Sequence, residues 1–362
     1  LMFPWLAHGH MYPFVELAKR LSRRDFRIYI CSSPVNLTSF RSLPESNAGI
    51  ELIELKIPSD ELPPELHTTK NLPSHLVPTL MRIFQDSDSS FSEILSDLKP
   101  DLLIYDGFQP WAAKLASEKG IPAVFFSIAG SSSITYFHHL YTHGDSTGYP
   151  FPAIFMPSSA AITTKLPPIK GAEEGFLFGV YNISTDIVLV NSYRELEAKY
   201  LDYLSVLIKK KVVPTGPLIS ATNVDDDNIQ SDVMEWLQQK PQFSTLYVSF
   251  GSEYILPKDQ LHELAQGLEL AGVNFIWVLR FSSLEKEKSP EEALPEGFIG
   301  RTKDRGWIIT DWAPQSRILA HRSVGGFVSH CGWNSLTEGV YFGVPIIAMP
   351  MSYEQPLSAK ML

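Results

Sequence analysis

Short apolar runs alternate with longer amphipathic stretches along this chain, and the alternation predicts strand–helix–strand units built on mainly parallel sheets. In the first half the runs are Arg27–Cys31, Leu102–Tyr105, Val124–Phe126 and Ile187–Val190, preceded by an apolar opening that reads as a first strand. Phe14, Leu17, Ala18 and Leu21 recur at spacings of three and four, which predicts a helix from Tyr12 to Leu21. In the second half, Thr245–Ser249, Phe275–Leu279, Trp307–Thr310, Gly326–Ser329 and Ile346–Met349 repeat the strand pattern, with helices expected at Asp259–Ala271 and Trp333–Phe342. Between the halves, Ser220–Asn228 is polar, acidic and aperiodic, as a linker is. The expected organisation is α/β: residues 1–218 form one doubly wound domain, 219–232 a linker and 233–362 a second, with a ligand cleft between them.

Composition narrows the class. With 362 residues, 44% hydrophobic and 19% charged, the chain has the balance of a globular protein with a substantial core. A formal charge of -10 argues against nucleic acid or an anionic membrane as the main partner, because either wants a basic face. The only cysteines, Cys31 and Cys331, sit far apart in apolar surroundings, so neither a disulfide framework nor a thiolate metal site is indicated and a cytoplasmic location is expected. The opening Leu1–Ala7 has no basic leader and is broken by Pro4, so it reads as a strand and not as a signal peptide or membrane span. Sequons at Asn36 and Asn182 would matter only in a secreted protein.

The chemistry gathers after the strands of the second half. The strand Gly326–Ser329 ends at His330, and a helix begins near Trp333-Asn334-Ser335. A diphosphate placed there would meet backbone N–H groups and the positive end of the helix, with Asn334, Ser335 and His330 as further donors. Glu338, one turn along, comes within reach of a ribose diol. The plainer alternative is a helix cap with Trp333 in the core. Trp312 follows another strand, where an indole can stack on a pyrimidine and the backbone of Ala313 can pair with the base edge; a buried core tryptophan is its plainer alternative. Gly251 allows close backbone approach after Thr245–Ser249, and Ser252 can donate to a phosphate oxygen. Glu354-Gln355 follows Ile346–Met349 with a carboxylate and an amide suited to vicinal hexose hydroxyls. Four loops after four strands thus supply the groups that a nucleotide sugar needs.

A base is expected in the first half. A histidine after the first strand lies at the carboxyl edge of the sheet, and its ordinary pKa of about 6.5 lets it take a proton near neutral pH. Asp106, closing Leu102–Tyr105, can hold the other ring nitrogen and stabilise the imidazolium. His8 and His10 both fit that description from sequence alone.

The stretch from Trp312 to Gln355 resembles, over its whole length, the signature box of plant family 1 UDP-glycosyltransferases. Asn191-Ser192-Tyr193-Arg194-Glu195-Leu196-Glu197, Pro214-Thr215-Gly216-Pro217 and Val248-Ser249-Phe250-Gly251-Ser252 are similar to the same family. Phe3–His10, Cys31–Asn36 and Gly251–Tyr254 are similar to its branch-forming members, which add a sugar to the sugar of an existing glycoside. The resemblance implies a GT-B fold of two Rossmann-like doubly wound domains, acceptor on the first and UDP-sugar on the second. It implies Trp312, Ala313 and Gln315 at the uridine, Glu338 at the ribose, and Ser252, His330, Asn334 and Ser335 at the diphosphate, with Gly332 also on the donor side. Trp333, Glu354 and Gln355 would meet the sugar. The family's Gly-His-x-x-Pro pattern matches Gly9–Pro13 and selects His10 for the His–Asp dyad with Asp106.

Two departures stand out: Glu354 replaces the family's usual Asp, and Ile128 replaces a frequent hydroxyl residue, with Ser127 beside it. The box's terminal Gln355 favours glucose. Family members continue through further helices, so the resemblance also implies an incomplete second domain. The expectation is an inverting, metal-independent glucosyl transfer from UDP-glucose to a small-molecule glycoside of flavonoid or triterpenoid type, by a monomer with no cofactor. Action directly on an aglycone, or nucleotide-sugar binding without activity, are the alternatives. Acceptor choice is assigned to the loops Asp60–Pro73 and Tyr136–Thr164.

A dinucleotide-dependent oxidoreductase is disfavoured, because no Gly-x-Gly-x-x-Gly follows the first strand. Metal readings of Asp225-Asp226-Asp227 and of His138, His139 and His143 are set aside: the first sits in the linker, and the second lacks a partner carboxylate at ligand spacing. The histidines are expected in the acceptor pocket or at the surface.

Overall fold

A computed structural model describes residues 1–156, 170, 176–219, 227–282 and 289–362. Its contacts divide the chain into two compact units, one of Leu1–Lys70, Ser74–Leu218 and Ser352–Leu362, the other of Asn71–Pro73 and Ile219–Met351. Residues 352–362, which the sequence reading assigned to the second domain, therefore belong with the first unit. Most of the expected linker, 220–226, lies outside the described residues, as do Asp225 and Asp226 of the acidic run.

The first unit carries a seven-stranded parallel sheet. Its strands are β1 (Met2–Phe3), β2 (Ile28–Ser32), β3 (Ile50–Glu54), β4 (Leu103–Tyr105), β5 (Ala123–Ser127), β6 (Ile187–Val190) and β7 (Lys211–Pro214), in the order β3-β2-β1-β4-β5-β6-β7. Met2 pairs with Ile30 on one side and Ile104 on the other. The chain runs outward from β1 through β2 to β3, then returns to place β4 on the other flank of β1. Strand order reverses there, so the loops leaving β1 and β4 open side by side at the carboxyl edge, where ligands bind on open α/β sheets.

The first helix spans His8–Ser22 and starts four residues before the predicted one, so His10 stands in its first turn and not in a preceding loop. Its buried Met11, Phe14, Val15, Leu17 and Ala18 join Met2, Ile30, Ile104 and Phe126 of the sheet in one core cluster. Ile128 is partly buried against the same cluster. The closing helix, Gln355–Met361, inserts a fully buried Leu357 among Tyr136, Tyr149, Ile154, Met156 and Tyr200. Burial of such a leucine contributes about 1.5–3 kcal/mol toward holding this short helix on the first unit.

The second unit carries a five-stranded parallel sheet of β8 (Thr245–Ser249), β9 (Asn274–Val278), β10 (Gly306–Ile309), β11 (Val324–Ser329) and β12 (Ile346–Ala348), in the order β10-β9-β8-β11-β12. Alternate residues feed opposite faces. Tyr247, Ile276, Val278 and Phe327 enter one core cluster, and Val248, Phe275, Trp277 and Val328 the other. This sheet also reverses order, between β8 and β11, which places Gly251 and Ser252 at the same edge as His330. Among the described residues no helix is long and apolar enough to cross a membrane.

Candidate active site and donor site

At the switch point of the first sheet, His10 Nδ1 lies 2.7 Å from Asp106 Oδ2. The pair is 96 residues apart in sequence and is joined by the reversal between β1 and β4. Asp106 is 2% exposed, and its other oxygen accepts the Phe108 N–H at 3.3 Å. The His10 side chain keeps 18% of its exposure and meets the edge of the Phe108 ring at 5.5 Å. A buried carboxylate on one ring nitrogen fixes the tautomer and leaves Nε2 as the proton acceptor. His8 is buried instead, with Tyr12 and Phe40 each 6.1 Å away between ring centroids. Ser127, beside Ile128, turns its hydroxyl to the Ala129 carbonyl at 3.2 Å.

A second carboxylate in this unit came without warning from the sequence. Glu197, fully buried, accepts the N–H groups of Ser131 and Ser132, each at 2.8 Å, and the hydroxyls of Ser131 at 2.9 Å and Ser192 at 2.6 Å. It caps the helix Ser131–His143, where no local side chain does so. On that helix His139 stacks on His143 at 4.1 Å and its Nε2 donates to the Thr147 carbonyl. Burial lowers the His138 pKa, with His143 and His139 adding to the effect. Among the described residues no three His, Cys, Asp or Glu side chains are grouped to hold a metal.

The second unit gathers most of the donor-side residues. The helix Trp333–Tyr341 begins after Gly332 with no side-chain cap, and the turn before it holds Cys331 at φ 64°, a left-handed conformation uncommon outside glycine. Trp333 and Ser335 are buried and Asn334 is half-buried, all three in the first turn. His330 packs between two glycines. A Cβ on Gly251 would lie 2.7 Å, and on Gly332 2.5 Å, from its Nε2, so a side chain at either position would force the ring to move. Burial lowers the His330 pKa to about 4, which keeps the imidazole neutral at neutral pH, and its buried Nδ1 has no hydrogen-bond partner among the described residues.

Trp312 is only half-buried, unlike a core tryptophan, and the Arg280 guanidinium carbon lies 5.7 Å from its ring centroid. Arg280 also donates to the carbonyls of Thr310 at 3.3 Å and Asp311 at 2.9 Å, which ties down the loop leading to that indole. Ala313 is buried and accepts the Gln315 N–H at 2.8 Å. Gln315 Nε2 donates to Glu338 Oε2 at 2.7 Å and Ser335 Oγ at 3.2 Å. The Ser252 carbonyl accepts the Asn71 N–H at 3.4 Å. Glu354 and Gln355 fall in the first unit: Glu354 precedes the closing helix, and Gln355 Oε1 accepts the Ser352 N–H at 2.9 Å.

Comparison with known proteins places the chain in a family. The family profile "UDP-glucoronosyl and UDP-glucosyl transferase" matches residues 201–362. A Mogroside IIIx synthase of Siraitia grosvenorii is 48% identical over 99% of this chain and 82% of its own length. The Beta-D-glucosyl crocetin beta-1,6-glucosyltransferase of Gardenia jasminoides is 47% identical over 100% of this chain and 83% of its own. Among solved structures, Glycyrrhiza uralensis UGT73P12 complexed with glycyrrhetinic acid 3-O-monoglucuronide superposes with a TM-score of 0.84 at 25% identity, covering 99% of this chain and 78% of that one. The chain belongs to this family and is a plant UDP-glycosyltransferase of GT-B fold.

Proposed function

We propose that the protein transfers glucose from UDP-glucose, with inversion and without a metal, to a hydroxyl on the sugar of an existing small-molecule glycoside. The observation that carries the reading is the 2.7 Å bond between His10 and the buried Asp106. In the reaction, His10 Nε2 takes the acceptor hydroxyl proton as that oxygen bonds to the anomeric carbon. The bond from that carbon to the diphosphate oxygen breaks, and UDP leaves with the electron pair. Displacement by direct attack inverts the anomeric configuration.

Asp106 stabilises the imidazolium that forms. The helix start at Trp333–Ser335, with the neutral His330, supplies preorganised donors for the charge that develops on the diphosphate. A positive dipole and neutral donors can do there what a cation does elsewhere, which is the support for metal independence. Trp312 would stack on the uracil, Glu338 would take the ribose diol, and Glu354 and Gln355 would meet the hexose.

Glucose as donor sugar and a glycoside as acceptor are supported by the Gardenia relative, whose name joins a glucosyl acceptor to glucosyl transfer. A UDP-release screen with an aglycone panel beside the matching monoglucosides, with product linkage and anomer assigned, tests the reading. Turnover on monoglucosides, unchanged by a chelator, is expected. Turnover on aglycones alone would remove the branch-forming assignment.

A further inference from the structure

We propose that Tyr247 is a positioning residue for the nucleotide's ribose, acting through the Gln315 amide to hold the Glu338 carboxylate. The inference rests on the reading that Glu338 takes the ribose diol, and it assigns a task to a strand residue that reads as plain core in the sequence.

Tyr247 lies in the middle of β8, 1% exposed, with its ring stacked 5.1 Å from Phe327. Phenylalanine would fill that space equally well, so packing does not explain the hydroxyl. The hydroxyl donates to Gln315 Oε1 at 3.2 Å. On the far side of the same amide, Nε2 donates to Glu338 Oε2 at 2.7 Å and to Ser335 Oγ at 3.2 Å.

The chemistry of the relay lies in the amide's asymmetry. A glutamine presents an acceptor at one end and a donor pair at the other, and only the donor end can face a carboxylate without repulsion. A donor fixed at the Oε1 end therefore sets which end reaches Glu338. Burial pushes the Tyr247 pKa well above its ordinary value, so the hydroxyl keeps its proton across the working range. With the hydroxyl gone, the half-buried Oε1 loses its donor, and the amide that holds Glu338 is no longer anchored at its far end.

The test compares binding of UDP and 2′-deoxy-UDP by calorimetry to wild type, Tyr247→Phe and Glu338→Gln, with circular dichroism as a folding check. If the relay serves the diol, Tyr247→Phe weakens UDP binding about 5–10-fold, the factor expected from one lost buried hydrogen bond. Binding of 2′-deoxy-UDP then changes less than about 2-fold on the same grounds, and the UDP preference falls as it does in Glu338→Gln. Equal weakening of both nucleotides by Tyr247→Phe would show general loosening and overturn the inference, as would no change in either. A preference unaltered in Glu338→Gln would overturn the ribose reading beneath it. Should Tyr247→Phe fail the folding check, Gln315→Leu is read by the same ratio, since any contact of Gln315 with the base affects both nucleotides alike.

Discussion

The two sheets each place a histidine at the point where strand order reverses, and they treat it in opposite ways. His10 stands in a helix's first turn, 18% exposed, with its Nδ1 on a buried carboxylate. His330 is wedged between Gly251 and Gly332, and burial drives its pKa to about 4. One environment stabilises the imidazolium and suits a base, whereas the other forbids it and suits a neutral hydrogen-bond donor. Topology supplies the location and the immediate neighbours supply the chemistry.

The comparison breaks most sharply at His10. In His10→Ala the transfer rate should fall about 10²–10⁴-fold, the range of general-base catalysis, while the dissociation constant for UDP stays within about 2-fold. Loss of UDP affinity in that variant, with transfer per bound donor intact, would give both histidines the same job.

Next in size is an effect on stability. Between pH 6.5 and about 4 the unfolded chain binds a proton at His330 that the folded chain refuses, so falling pH favours unfolding. The stabilisation is complete above pH 6.5 and is lost as pH falls to about 4. It amounts to roughly 3 kcal/mol at 1.36 kcal/mol per pKa unit. Urea unfolding of wild type and His330→Gln at several pH values should show the wild type losing that much more over the interval. A constant difference between the two would mean that burial does not suppress His330 protonation.

The glycine wedge predicts a smaller change. In Gly332→Ala the new Cβ would sit 2.5 Å from His330 Nε2, so the ring must shift. Overpacking of this kind costs about 1–3 kcal/mol, and UDP should bind roughly 10-fold more weakly by isothermal titration. Unchanged binding would show that the ring's placement is slack.

Much of this was legible in the sequence, for physical reasons that also mark where legibility ended. Buried parallel strands such as Thr245–Ser249 and Phe275–Leu279 announce themselves as apolar runs, because both faces are covered. β3, Ile-Glu-Leu-Ile-Glu, did not, since its glutamates dilute the run. The apolar spacing of Phe14, Leu17, Ala18 and Leu21 predicts a start at Tyr12, because the polar His8-Gly9-His10 adds nothing to that period. In the structure Pro13 is accommodated inside the helix, whose start is set by His10 and Met11 N–H groups bonding to the Ala7 carbonyl, each at 2.9 Å. Residues 352–362 were placed by continuity, but packing of Leu357 decides their unit. Tyr247 and Glu197 escaped because a polar atom's partner is a tertiary fact: the one looks like core, the other like a surface helix residue.

The smallest catalytic effect belongs to His8, the histidine that the sequence alone could not separate from His10. Its ring is buried against Tyr12 and Phe40, so its contribution is to packing. In His8→Asn, kcat/KM should stay within about 3-fold while unfolding stability drops by roughly 1–3 kcal/mol, the usual range for a truncated buried side chain. Steady-state kinetics and thermal melts on the same preparation separate the two quantities. Transfer lost with the melting midpoint intact would move the base from His10 to His8, and the contrast between the two sheets would then rest on a different residue of the same helix.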